Sequence, residues 1–167
     1  MRRAVVAVLG AAAVVLAGCS GTHFPEVTFY ADGESVAAEP MDQYCDGMLK
    51  ECEPAGERVS LKVRPGKSVQ VSLPSEVTST VWTLYAEYRD ASGAVKLLPP
   101  RTFTDRDDPQ QAVTVTPENP TDQLLTVEIQ QLGGVYAADQ QGNPILDENG
   151  NPQLLARGVW SLKIDPA

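Results

Sequence analysis

A serine or cysteine nucleophile needs a base beside it, usually histidine, and this 167-residue chain holds one histidine, His23. His23 lies in a short segment with Gly21 and Pro25, where no scaffold would hold a base in place, so it reads as a solvated linker residue. No serine has a lysine three residues on, and there is no Gly-x-Ser-x-Gly elbow. Arg64-Pro65-Gly66-Lys67-Ser68 ends like a phosphate loop, but Leu61 stands where the first glycine belongs. That segment also joins two strand-like runs, whereas a phosphate loop feeds a helix N-terminus whose amides bind the anion. Among 22 acidic residues a carboxylate pair for glycoside hydrolysis is easy to draw, yet nothing marks one pair as special. Asp105, Asp107 and Asp108 form a loop cluster that reads as a solvated charge run rather than a calcium site. Gly142-Asn143-Pro144 and Gly150-Asn151-Pro152 repeat with a period of eight, each preceded by an aspartate, Asp139 or Asp147. An EF-hand loop needs glycine at its sixth position and glutamate at its twelfth. Counting from Asp147 places Pro152 and Gly158 there, and counting from Asp139 places Pro144 and Gly150. Two stacked turns on a long hairpin between Tyr136 and Trp160 are therefore expected. The sequence predicts no catalytic residue, no cofactor and no metal site.

The informative chemistry is at the cysteines. Met1-Arg2-Arg3 is basic, Ala4 to Val15 is an apolar run, and Leu16-Ala17-Gly18-Cys19 follows. Basic start, short apolar core and small-residue cleavage site are the order of an exported precursor. The run is too short to span a bilayer, which takes about 20 residues. The tetrad resembles the lipobox of bacterial lipoproteins, which implies a signal peptide over 1–18 and a diacylglyceryl group on Cys19. The plainer alternative is an ordinary secretory signal with a chance cysteine. Two acyl chains hold a protein to a membrane where one does not. Cys45 and Cys52 are then left as an even pair in an oxidising compartment, predicted to form a disulfide. Zinc would need about two further ligands, and the only histidine lies in the tether.

The rest of the chain must supply the scaffold. Residues 19–26 are the expected tether, and residues 27–167 are enough for one domain with a real core. The net charge of −9 becomes −11 when Arg2 and Arg3 leave with the signal peptide, which disfavours nucleic acid and anionic headgroups as partners. Alternation of apolar and polar residues predicts strands at 27–31, 35–38, 59–63, 69–73, 82–88, 95–98, 113–116, 125–130 and 158–164. Asp32-Gly33 reads as a hairpin turn, Pro65-Gly66 as the centre of a type II turn, and Asp90-Ala91-Ser92-Gly93 as a further turn. Eight or nine short strands at this spacing predict an all-β, antiparallel, immunoglobulin-like sandwich. One stretch disagrees. Met41, Tyr44, Cys45, Met48, Leu49 and Cys52 recur at helical spacing, yet cysteines seven apart on a helix sit about 10.5 Å apart, too far for a disulfide. Gly47 offers a break, so a turn of helix at most, then a bridged loop, is expected there.

Trp82 and Trp160 fall on the strand faces assigned inward and are expected to pack in the core. Tyr85 lies on the face opposite Trp82, so Tyr85 and Glu87 are the candidate contact surface.

Tyr30-Ala31-Asp32-Gly33, Tyr44-Cys45, Cys52, Pro65-Gly66, Ser72-Leu73-Pro74 and Trp82-Thr83-Leu84 together resemble a group of small actinobacterial envelope proteins. That group is catalogued as a domain of unknown function (number 2771), and the resemblance runs from about Val27 to Ile164. It implies export and an anchored β-rich domain with a cysteine pair, and it supplies no activity. The expectation is a non-enzymatic protein held on the outer face of the cell membrane through Cys19, binding another envelope protein as an adaptor. The alternative is a carrier of a lipid or other apolar ligand between the sheets.

Overall fold

The computed structural model describes residues 23–104, 110–147 and 150–167. The expected signal peptide, Cys19 and the Asp105, Asp107, Asp108 cluster lie outside the described residues. Where the pattern alternates, strands form: β1 (Val27–Ala31), β2 (Glu34–Ala38), β5 (Val59–Val63), β6 (Val69–Ser72), β7 (Trp82–Arg89), β8 (Val95–Leu97) and β10 (Ala112–Val115). Three short strands are additional: β3 (Gln43–Cys45), β4 (Cys52–Pro54) and β9 (Arg101–Phe103). β11 (Gln123–Tyr136) and β12 (Leu154–Pro166) run well past their predicted ends. A single helical turn, α1 (Ser75–Thr78), follows Pro74 and buries Val77 and Thr78.

One sheet has the order β10-β6-β1-β2 and the other β5-β12-β11-β7-β8, with β9 also on β7. β8 and β9 pair with successive parts of β7, so they form one edge strand interrupted at Leu98-Pro99-Pro100. Proline there removes ladder donors, which suits an edge. Among the described residues the strand pairings are antiparallel except β5 alongside β12, and the isolated Met41–Gly56 bridge is also parallel. The chain crosses between sheets from β2 to β5 by way of the β3–β4 hairpin, and again from β5 to β6, from β6 to β7, from β9 to β10 and from β10 to β11; the last three crossings are the Greek-key order of an immunoglobulin-like sandwich. Inward residues of both sheets share one core, with Phe29, Val71 and Val115 from one side and Trp82, Leu84, Ile129, Trp160 and Leu162 from the other. Trp82 and Trp160 are 1% and 0% exposed, as their strand faces predict.

The stretch at 41–54 holds the expected Cys45–Cys52 bridge but not the expected turn of helix. No helix forms there; β3 and β4 make an antiparallel hairpin with Cys45 directly opposite Cys52, 4.0 Å apart at Cα and disulfide-bonded. Cross-strand neighbours meet the distance a disulfide needs, which a helix could not. The apolar residues do not share a face: Cys45 is buried while Met48 is 53% exposed at the turn. Asp46 Oδ1 accepts from the Met48 and Lys50 amides and so shapes that turn.

The predicted tight turns form as their residues dictate. Asp32 and Gly33 both take positive φ (52° and 92°), giving a two-residue hairpin between β1 and β2. Gly66 at φ 73° follows Pro65 in the type II turn. The period-eight repeat is one turn used twice. Asp139 Oδ1 accepts from the Gln141 and Asn143 amides, Gly142 takes positive φ, and Asn143 Nδ2 donates back to Asp139. Asp147, Gly150 and Asn151 repeat the arrangement. The segments between these turns bond in a ring. Ala137 N–H donates to Gln153 C=O, Gln153 N–H to Ile145 C=O, and Ile145 N–H to Ala137 C=O.

Candidate contact surface

The outward face of the six-stranded sheet carries the alternate residues of β7 and β11. Tyr85 stands opposite Glu128, Glu87 opposite Thr126, and Thr83 opposite Gln130. Leu97 of β8 lies beyond Glu87, and Arg58 closes the other side ahead of β5. All of these except Thr83 line a shallow pocket of about 280 Å³. Tyr85 is 36% exposed and Leu97 68% exposed, so an aromatic ring and an aliphatic side chain meet solvent beside two carboxylates and a guanidinium. Gln130 Nε2 donates to Glu128 Oε1 at 2.7 Å, which sets the carboxylate's direction. Past Tyr85 and Gln130 the surface continues into a second concavity of about 490 Å³, walled by Thr102, Asp147, Gln153 and Leu154. The β11–β12 extension thus curls over one end of this face.

Tyr85 and Glu87 are therefore together on an open face, as alternation predicts. Thr126, Glu128 and Gln130 share the outward parity of β11, a signal present in the sequence but readable only once β11 is known to neighbour β7. Arg58 had no signal, because only the parallel docking of β5 on β12 brings it there. No serine, cysteine or histidine lines this pocket, and its groups can hydrogen-bond and stack.

A second assembly gathers where Phe24 and Pro25 lead into β1. Phe24 packs edge-on against Tyr44 (6.0 Å between ring centres), which packs edge-on against Trp160 (6.1 Å). Trp160 Nε1 donates to the Pro25 carbonyl at 2.9 Å. Arg157 lies 4.8 Å over the Tyr44 ring and donates through Nε to the Cys45 carbonyl. Behind them Gln131, fully buried, accepts from Tyr44 Oη and donates to the Glu76 carbonyl and Thr80 Oγ1. Burial pushes the Tyr44 hydroxyl pKa up, so it stays a neutral donor. Gly134 N–H donates to Gly47 C=O at 2.7 Å, and a Cβ on Gly158 would stand 2.6 Å from the Tyr44 ring. The disulfide hairpin is thus a clasp between the Phe24–Pro25 segment and the β11–β12 pair. His23 is exposed at its rim. Among the described residues no cluster of three or more His, Cys, Asp or Glu could hold a metal, and no helix is long and apolar enough to cross a membrane. The Asp139 carboxylate is engaged by its own turn, and its pKa is lowered chiefly by the Asn143 amide.

These features define an immunoglobulin-like sandwich with a disulfide clasp on its N-terminal entry and an open polar–aromatic sheet face. The chain belongs to the family described as a protein of unknown function (DUF2771), whose model matches residues 20–165. Uncharacterized proteins of Mycobacterium tuberculosis (strain H37Rv) and Mycobacterium bovis are 26% identical to it over 156 residues, covering 93% of this chain and 86% of theirs. No solved structure matches.

Proposed function

We propose that the chain is exported, anchored through an acylated Cys19 to the outer face of the cell membrane, and acts as a non-catalytic adaptor for another envelope protein. The observation that carries this reading is the open face on which Tyr85, Glu87, Arg58, Glu128 and Leu97 converge with no serine, cysteine or histidine among them. An exposed aromatic ring amid directed polar groups is the composition of a protein-binding patch. The lipid anchor rests on Leu16-Ala17-Gly18-Cys19 and its basic, apolar lead-in. The test is purification from native membranes of the wild type, Tyr85→Ala with Glu87→Ala, and Tyr30→Ala. Tyr30 is 49% exposed on the opposite sheet and serves as the control. A co-purifying envelope protein lost only in the double variant supports the adaptor. An unchanged set of companions in all three would sink it.

One observation favours the carrier as a second reading. A cleft of about 360 Å³ opens where β10 and the broken edge strand face each other. Its floor is Leu84 and Val115, both core residues, and Arg101 spans its mouth to the Thr114 carbonyl. Native mass spectrometry of protein taken from its own membranes would show a discrete apolar adduct, lost on denaturation, if this cleft carries a ligand.

A further inference from the structure

We propose that the clasp end of the domain lies on the bilayer, with the tip of the β11–β12 extension seated in its interfacial layer. The open sheet face is then left free, and its far end points away from the membrane. This rests on the acylated Cys19 proposed above and adds the orientation that such an anchor imposes.

The argument begins with the length of chain outside the domain. Phe24 and Pro25 are not free tether, because Phe24 packs on Tyr44 and the Pro25 carbonyl holds Trp160. Only Ser20, Gly21, Thr22 and His23 separate Cys19 from that fixed point. Five Cα steps reach at most roughly 18 Å. A lipid on Cys19 therefore holds the clasp end close to the headgroups and leaves little freedom to turn another face toward them.

That same end presents apolar side chains to solvent. Met48 at the clasp turn is 53% exposed, and Tyr136, Ile145, Leu146 and Leu155 on the extension are 53%, 42%, 54% and 40% exposed. They stay near the clasp by hydrogen bonding. Gly134, two residues before Tyr136, is bonded to Gly47; Tyr136 pairs with Leu154; and Ile145 is bonded to Ala137. The two aspartate-braced turns hold Ile145-Leu146 between them as a preformed protrusion, so seating it costs little ordering entropy. Side chains of this kind bury themselves at the boundary between headgroups and acyl chains. Asp139 is kept ionised by its own turn, which sets the tip at the interface rather than in the hydrocarbon. The other end carries the Asp32–Arg64 and Asp90–Lys96 ion pairs. Val95 and Leu97 are exposed there as well, on the edge of the open face. From Trp82, beside the clasp end, to Arg89, opposite Val95, β7 spans about 23 Å.

The test uses the full-length acylated protein in phosphatidylcholine vesicles containing a brominated phosphatidylcholine as a short-range quencher of tryptophan. Trp82 and Trp160 are buried in the core and give a constant background. Leu146→Trp is expected to lose about half or more of its added emission, as an interfacial residue would. Val95→Trp is expected to lose none. Tyr136→Trp repeats the first measurement should Leu146→Trp fail to fold. Intact mass is read on the same samples. Quenching equal at both ends, or absent at the tip while the acyl mass is present on Cys19, overturns the seating and leaves the anchor standing. A missing acyl mass overturns the anchor and the orientation together.

Discussion

The two ends of the sandwich are built by different means. At the end away from the clasp, each turn is closed by residues near one another in sequence. Asp32-Gly33 closes β1–β2, Pro65-Gly66 leads into β6, and Asp90 Oδ1 accepts from Ser92 and Ala94. Long-range additions there are few, notably the bidentate Asp32–Arg64 pair and the Gly66 amide on the Asp122 carbonyl. The clasp end is the reverse. Tyr44 reaches Gln131 across 87 residues, Arg157 reaches Cys45 across 112, and Trp160 reaches Pro25 across 135. A locally coded end tolerates change in the remainder of the chain. An end assembled from four distant segments depends on all of them at once, and it is the end from which the extension protrudes.

The largest effect expected is on the locally coded end. Gly66→Ala would place a Cβ 2.2 Å from the Pro120 carbonyl oxygen, on backbone with φ +73°. The clash and the left-handed backbone together cost about 3 kcal/mol, read as a lower denaturant midpoint. An unchanged midpoint would mean that this end is the softer one. Next, Cys45→Ser with Cys52→Ser removes a loop closure worth about 2.5 kcal/mol. Hydrogen exchange should then rise first at 41–54 and 131–134 and leave the Asp32–Arg64 turn protected. Uniform loss of protection would erase the distinction between the ends.

A smaller, pH-dependent effect also belongs to the turn end. The Arg64 side chain holds the Asp32 carboxyl down to about 2, below the usual carboxylate value of about 3.9. A depressed folded-state pKa gives stability that is present above about pH 4 and lost as the pH falls toward 2. Asp32→Asn should therefore be less stable than wild type at neutral pH, with the gap closing across that window. A gap constant with pH would remove the ion pair from the account. The smallest effect is at the open face, where Tyr85→Ala should change stability by no more than about 0.5 kcal/mol. A large loss there would make Tyr85 structural and the face a poor candidate for contact.

Much of the fold was legible because strand alternation and turn chemistry are local. Trp82, Leu84, Ala86 and Tyr88 were readable as one inward face, and Tyr85 as its opposite, from a period of two alone. From Met41 to Cys52 six positions match a period of 3.6, yet the turn of helix that this spacing allows gives way to a bridged hairpin. What decides the backbone there is the cross-strand disulfide, the Asp46 turn and the seat on β12. Alternation stops short of the ends of β11 and β12, interrupted in β11 by Gly133 and Gly134. The clasp passes close to both: a Cβ on Gly133 would stand 2.3 Å from the end of the Leu49 side chain, and one on Gly134 3.3 Å from Met48 Sδ.

Alternation, turn residues and the count and placement of cysteines determined by themselves that this chain is an antiparallel β-sandwich with Cys45 and Cys52 paired. Each of those signals depends only on neighbours along the chain. The tertiary structure alone decided that Arg58 and Glu128 join Tyr85 and Glu87, and that Phe24, Tyr44, Gln131 and Trp160 form one assembly. Those groupings depend on which strand lies beside which, and the partners sit dozens of residues away, beyond the reach of any local pattern.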